Sequence, residues 1–276
     1  MATAEMIIKQ QRNLRPAQAI YKAVAGVPQV LRCATYFKNW PAIVQEYVTV
    51  RDINSGMRAI GRCGFGLKLW EPSDVQTLWA VFCNCNYRVA DRPNVALDLG
   101  ANIGIFSIYA AKVKRARKII ALEPVAGTFA KLRDNVNSNA LNDTVTCIQE
   151  GIGDAIGRRS IYCGVSSPHS SMYYRGDSRF ESGQTETIQV TTLEGVFDRF
   201  GLESVDVCKA DCEGAEVEAL LSASDDILRR IRCITMEYHF PSRIWDQKTF
   251  FSRLEQTGFK LAWHSKIGRM ATFLRK

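Results

Sequence analysis

The sequence predicts an α/β fold, with a mostly parallel sheet covered by helices on both faces and a mixed helix and strand extension ahead of it. Three observations predict it. From about residue 90 onward, short apolar runs alternate with stretches of helical periodicity. The first run, Val95-Ala-Leu-Asp-Leu, enters the loop Gly100-Ala-Asn-Ile-Gly104 and then a helical segment, the strand–loop–helix order of nucleoside-binding sheets. A chain of 276 residues that is 46% hydrophobic is also long enough to bury a large core.

In chain order, residues 16–30 and 40–47 read as helices, 57–69 as a strand pair and 73–82 as a further helix. This first third differs in texture from the rest of the chain, so residues 1–90 form the extension and residues 91–276 the α/β domain. Within that domain, apolar runs place strands at 95–99, 118–122, 144–149, 205–210 and 231–238. Helical patterns fall between them at 105–113, 125–137, 215–221 and 248–257. Two short strands, 260–263 and 270–274, turn around Lys266-Ile-Gly268 and close the sheet as a hairpin. An insert at about 155–192 carries a β-pair, 159–163 with 187–190, around a Ser/Gly-rich stretch over 166–184. A loop of that length inside a compact domain is expected to be functional or mobile.

No apolar run is long enough to span a membrane, since the richest early stretch is broken by Lys22 and Pro28. Lys9 precedes no apolar block of the kind a signal peptide needs, and the expected location is cytoplasmic. Nine cysteines without zinc-site spacing are expected to be reduced and structural. The formal charge of +8 comes partly from the run Lys112, Lys114, Arg115, Arg117 and Lys118. With no aromatic residue among them, these read as a solvated helix end and not as a nucleic-acid surface.

The candidate chemistry lies at strand ends. The loop reads G-x-x-x-G with Asp98 in front, whereas a dinucleotide loop needs G-x-G-x-x-G to seat a pyrophosphate. It suits a ligand with an amino acid and a nucleoside but no phosphate, which is S-adenosylmethionine. Gly100 and Gly104 admit its backbone approach, Asn102 is placed to fix the loop, and Asp98 is expected near the donor's amino group, directly or through water. Glu123 ends the second strand about 20 residues on, where an acid accepts from both ribose hydroxyls. After the third strand, Ile152 could cover one face of the adenine and Asp154, beyond Gly153, could accept from its exocyclic amine. A plain Gly-Asp turn explains the same residues. Lys209 and Asp211 share one face of the fourth strand, and Glu237 and His239 share one face of the fifth, all four at the carboxyl edge. Glu213 and Glu216 fall at a helix start, and Glu216 reads as a cap.

Together DLGANIG, ALEP at 121–124, KADCEGAE at 209–216 and MEYH at 236–239 resemble the FkbM family of methyltransferases, whose pattern is DVGANxG, EP, KIDVEGAE and ExH. The likeness covers about residues 60–275; Thr191-Thr-Leu-Glu is similar to the family's TTLD, and Asn86-Tyr87 to its lead-in. Ala210 and Cys212 depart from the pattern's Ile and Val, a change of packing more than of chemistry. The resemblance implies a class I, Rossmann-like methyltransferase with a seven-stranded sheet, using S-adenosylmethionine on a hydroxyl of a sugar, glycolipid or natural product.

Methyl transfer is an in-line displacement, so holding the acceptor oxygen supplies most of the acceleration and a base supplies the rest. Asp211 with Glu237 or His239 is the expected base, beside Lys209. The runner-up sets Asp211, Glu237 and His239 around a divalent metal. An NAD-dependent oxidoreductase would lack its phosphate-binding glycines here, an RNA methyltransferase would use the basic charge, and a non-catalytic scaffold would carry an eroded loop. The expected partner is a small-molecule or glycan acceptor, which His169, Tyr173 and Tyr174 of the insert could help to bind.

Overall fold

The computed structural model describes residues 16–49, 56–162, 185–240 and 246–275. Its centre is a seven-stranded sheet built from β3 (Val95–Leu99), β4 (Lys118–Leu122), β5 (Val145–Ile148), β9 (Val207–Ala210), β10 (Cys233–Glu237), β11 (Phe259–Ser265) and β12 (Met270–Arg275). The spatial order is β5-β4-β3-β9-β10-β12-β11. β12 alone runs against its neighbours, pairing antiparallel with both β10 and β11. Chain order therefore reverses between β3 and β9, and in open α/β sheets ligands bind outside the carboxyl ends at such a reversal.

Alternation along the strands divides the core in two. Ala96, Ile119, Ala121, Val145 and Val207 face one hydrophobic cluster, while Leu97, Leu99, Ile120, Leu122, Cys208 and Ala210 face the other. The second cluster is covered by α6 (Leu193–Phe200), α7 (Ala215–Ser222), α8 (Asp225–Arg229) and α9 (Gln247–Gln256). The first is covered by α4 (Ile105–Ile108) and α5 (Ala126–Ser138). Into that same cluster the N-terminal segment packs α1 (Pro16–Tyr36), α2 (Trp40–Thr49), the β1–β2 hairpin (Met57–Ile60 with Gly66–Leu69) and α3 (Pro72–Leu78). The insert's pair is present as β7 (Gly157–Tyr162) against β8 (Thr185–Thr191), joined on the other side of β8 by β6 (Gly151–Ile152). Residues 163–184, with His169, Tyr173 and Tyr174, lie outside the described residues.

Local chemistry differs from the sequence expectation in four places. α1 continues through Pro28 to Tyr36, because Cys33 and Phe37 beyond the proline are fully buried and their packing outweighs the lost hydrogen bond. The helices expected at 73–82 and 105–113 both finish as π turns, Trp79–Cys83 and Tyr109–Val113, which meet through Phe82 and Tyr109 with ring centroids 5.0 Å apart. α8 is too short to show a period in the sequence; Ser224 caps it by accepting from the Ile227 N–H.

The eight described cysteines carry free thiols. No described helix is long and apolar enough to cross a membrane. The basic run precedes β4 at the amino edge, where Lys114 pairs with Asp91 at 2.9 Å and Lys118 lies 5.7 Å over the Phe200 ring.

The hairpin is tied to α5 by two asparagines that stand in for a neighbouring strand. Asn139 exchanges bonds with the Gly66 C=O and N–H at 2.7 and 2.8 Å. Asn135, fully buried, accepts from the Lys68 N–H at 2.8 Å and donates to the carbonyls of Lys68 and Ile103 at 3.1 and 2.9 Å. Asn135→Leu strips all three backbone groups of their partner, and should lower the unfolding free energy by about 3 kcal/mol in a urea titration. A loss below about 1 kcal/mol would show that the asparagine is dispensable.

Candidate active site

β3 delivers its loop to the carboxyl edge in a conformation that depends on glycine. Gly100 has φ +72°, and a β-carbon there would collide with the main-chain carbonyl oxygen of Asp211 at the end of β9. Gly104, at φ +88°, begins α4, and a β-carbon there would press to 2.7 Å from Leu132 Cδ1. Asn102 adopts a left-handed φ of +49°.

Beneath this loop lies a buried ion pair. Asp98 and Lys209 are register partners on β3 and β9, with Lys209 Nζ 3.2 Å from Asp98 Oδ1. Asp98 Oδ2 accepts from Ser107 Oγ at 2.6 Å. The lysine donates to the Gly100 carbonyl at 2.6 Å and to the Leu99 carbonyl at 3.3 Å. Burial alone would lower its pKa, but Asp98 and Asp211 hold it raised, so it stays a cation. With its ammonium engaged by the loop, Lys209 braces the glycine turn; it is not a proton acceptor. Asp98, expected at the donor's amino group, is fully buried and does not border the cleft.

The cleft opens above, about 900 Å3 including its mouth. On one side Glu123 takes the Asn102 N–H on Oε2 and the Val125 N–H on Oε1, both at 3.0 Å. Burial pushes its acid up to about 7, against those two bonds and the charge of Lys209. Ile152 also lines this side. Gly153 and Asp154 do not border the cleft: a β-carbon on Gly153 would meet Val190, and the Asp154 carboxylate is drawn to Arg159, which also bridges Glu218 at 2.9 Å. The acid that does reach the cleft is Glu150. Its Oε1 accepts from Arg199 at 2.9 Å, while its Oε2 is buried with no hydrogen-bond partner among the described residues.

On the opposite side Asp211 and Glu213 border the cleft. Asp211 Oδ2 accepts from the Tyr87 hydroxyl at 2.7 Å. Glu216, expected as a cap, is fully buried and accepts from the Cys212 and Gly214 N–H groups at 3.1 and 2.8 Å. It also receives the His239 N–H at 2.6 Å, with His239 Nδ1 at 3.2 Å. His239 Nε2 lies 3.5 Å from Glu237 and 3.9 Å from Glu213. Burial would lower the imidazole pKa, but Glu216, Glu237 and Glu213 outweigh it and push it up to about 11. His239 therefore holds its proton at neutral pH, which corrects the expectation that it serves as a base. Neither it nor Glu237 lines the cleft, and the Glu237 side chain keeps 39% of its surface exposed. Burial, then the charge of Asp211, raises the Glu237 acid. Among the described residues no group of three or more His, Cys, Asp or Glu side chains is arranged to hold a metal ion.

The structure thus gathers Gly100, Asn102, Glu123, Ile152, Lys209 and Asp211 around one cleft. Tyr87 and Glu150 belong there too. Glu150 carries a legible signal in the sequence, since it directly follows the third strand as Glu123 follows the second. Tyr87 carries none beyond its resemblance to a lead-in, because its partner is 124 residues away.

Residues 98–276 match the family model described as the methyltransferase FkbM domain. The chain is 27% identical over 209 residues to Methyltransferase sdnD of Sordaria araneosa, covering 66% of this chain and 80% of that protein. It is 29% identical over 178 residues to AMB antimetabolite synthetase AmbE of Pseudomonas aeruginosa, covering 52% of this chain but only 8% of that protein. Among solved structures it resembles methyltransferase FkbM from Methylobacillus flagellatus KT, with a TM-score of 0.45 and 14% identity over 86% of this chain and 59% of that one.

The His239 cluster has a signature in stability. An imidazole raised from its ordinary 6.5 to about 11 contributes in full below pH 6.5, and the contribution is lost as pH climbs toward 11. The stability advantage of the native chain over His239→Asn in urea should therefore shrink steadily from pH 6.5 to 9.5. An advantage independent of pH would show that the histidine is neutral in the fold.

Proposed function

This chain belongs to the FkbM methyltransferase family, and from that premise we propose that it transfers the methyl group of S-adenosylmethionine to a hydroxyl oxygen of a sugar, glycolipid or other natural product. The observation that carries this reading is the convergence of a nucleoside-type acid, Glu123, and a second acid, Asp211, on one cleft beside the glycine loop.

The residues fit the donor. Glu123 spends one lone pair on each carboxylate oxygen on backbone amides, which fixes its plane and leaves acceptor capacity for ribose hydroxyls. Glu150 Oε2, buried without a donor among the described residues, would take the adenine's exocyclic amine, the role expected of Asp154. Ile152 supplies the apolar surface for the base, and the Gly100 turn admits the methionine part without a side chain in the way. When bound, the donor supplies a methyl group on a positively charged sulfur.

Asp211 is the base. Lys209 and His239 keep their protons and Glu237 does not line the cleft, so of the four residues expected at the carboxyl edge Asp211 is the carboxylic acid that does. Asp211 draws the proton from the acceptor hydroxyl onto its carboxylate as the oxygen attacks. Thr77, Val81 and Tyr87 line the cleft, which supports a reading in which the described part of the segment before residue 91 caps the methyl end and the acceptor enters from that side.

A screen with isotopically labelled donor against glycan, lipid-linked sugar and natural-product hydroxyl panels tests the reading directly. With the acceptor it yields, Asp211→Asn should cut turnover at saturating donor by roughly 10²-fold or more while affinity for S-adenosylhomocysteine, whose sulfur is neutral, stays unchanged. Near-native turnover would make Asp211 structural. Donor affinity should rise with pH through about 7 as Glu123 ionises, since only the carboxylate form accepts from both ribose hydroxyls. In Glu123→Gln that dependence should vanish; its persistence would place the titrating group elsewhere.

A further inference from the structure

Tyr87 belongs to the link between α3 and β3, upstream of the residues matched by the family model, yet it lines the cleft and is the one described side chain that hydrogen-bonds the Asp211 carboxylate. Its ring is 5% exposed, lies edge-on to Phe106 with centroids 5.8 Å apart, and sits 5.6 Å below the Lys209 ammonium. The next residue pins the link to the sheet. The Arg88 N–H donates to Thr235 Oγ1 at 3.1 Å, its carbonyl accepts from Cys233 Sγ, and its guanidinium lies 4.8 Å over Trp263. A residue anchored in this way cannot follow Asp211 if the carboxylate rotates.

We propose that Tyr87 is a positioning residue for the methyl end of the cleft, its hydroxyl fixing one oxygen of Asp211 so that the other is presented to the reacting atoms. This rests on the assignment of Asp211 above. Burial, and the neighbouring charges of Asp211 and Glu237, hold the phenol well above its ordinary pKa, so it is a permanent donor. A hydrogen bond from a neutral donor to a carboxylate is of the strong, charge-assisted class. Among the described residues Asp211 Oδ1 receives no comparable bond, and the carboxylate keeps that oxygen for a ligand. The fixed carboxylate also marks where positive charge is favoured, which makes the proposal testable without knowledge of the acceptor.

The test is calorimetric titration of the full chain with two donor analogues. S-adenosylhomocysteine has a neutral sulfur, and the amine analogue carries a protonated amine where the donor carries its methylated sulfur. The native chain should prefer the amine analogue. Tyr87→Phe, which keeps the ring and its packing, should lose roughly tenfold of that preference while binding S-adenosylhomocysteine as the native chain does. Asp211→Asn should lose the preference as well. Replacing Tyr87 by 4-aminophenylalanine restores a donor on the same ring and should recover it, which separates positioning from packing. If Tyr87→Phe retains the native ratio while Asp211→Asn loses it, Asp211 faces the methyl end unaided and the proposal is wrong. If neither variant changes the ratio, Asp211 does not face the methyl end, and its assignment as base falls together with the role of Tyr87. A weaker but equal affinity of Tyr87→Phe for both analogues also overturns the proposal, because a merely structural residue would act on both alike.

Discussion

The buried pair between Asp98 and Lys209 is the contact on which the site depends. Two adjacent parallel strands carry opposite charges in register, in the interior, where an unpartnered charge would be expelled. The pair is tolerated because each member has further bonds: Ser107 on the aspartate, and the Leu99 and Gly100 carbonyls on the lysine. Those carbonyls belong to the donor loop. The same ammonium that neutralises Asp98 thus sets the height of the loop above the sheet, and Gly100 can sit there only because it lacks a side chain against Asp211. Removing one member of a buried pair typically costs about 3–5 kcal/mol, more than rearranging a surface loop. The geometry of the cleft floor is therefore set by the core.

A second layer of charge surrounds the far side. His239 is held as an imidazolium by Glu213 of the turn after β9, Glu216 of the first turn of α7 and Glu237 of β10, and Glu216 also gathers backbone amides of the turn after β9. Glu213 sits in a left-handed conformation at φ +53°, which a non-glycine residue adopts at a cost of about 1–3 kcal/mol. The histidine acts there as a cationic clasp between two strand ends. Its positive charge also keeps the neighbouring carboxylates from repelling one another.

The sheet is legible in the sequence because its strands are buried on both faces and read as unbroken apolar runs; predicted residues 95–99 and 118–122 coincide with β3 and β4. Glu123 is legible for the same reason, since a strand end fixes where the next side chain must stand. The π turns are not, because a period of 3.6 residues does not distinguish them from α-helix. Asp98 and Lys209 stand out as ionisable, but a one-dimensional pattern does not tell that they satisfy each other. The sequence points to Asp154 at the adenine edge because nothing local announces that Arg159, across a turn, claims it. Tyr87 lies beyond reach, its role defined by a contact between segments far apart in the chain.

The shared core of the N-terminal segment and the sheet has a consequence for anyone who would transplant this catalyst. A cut at residue 98, where the family match begins, would divide one hydrophobic cluster, leaving Phe106, Ile108 and Tyr109 without Phe37, Phe65 and Phe82. It would also remove Tyr87 from beside the loop. The portable unit in this molecule is accordingly larger than the stretch it shares with its family. A recombination that joined a different leading segment to the same sheet would exchange, in a single step, both the insulation of the sheet and one wall of its reaction chamber.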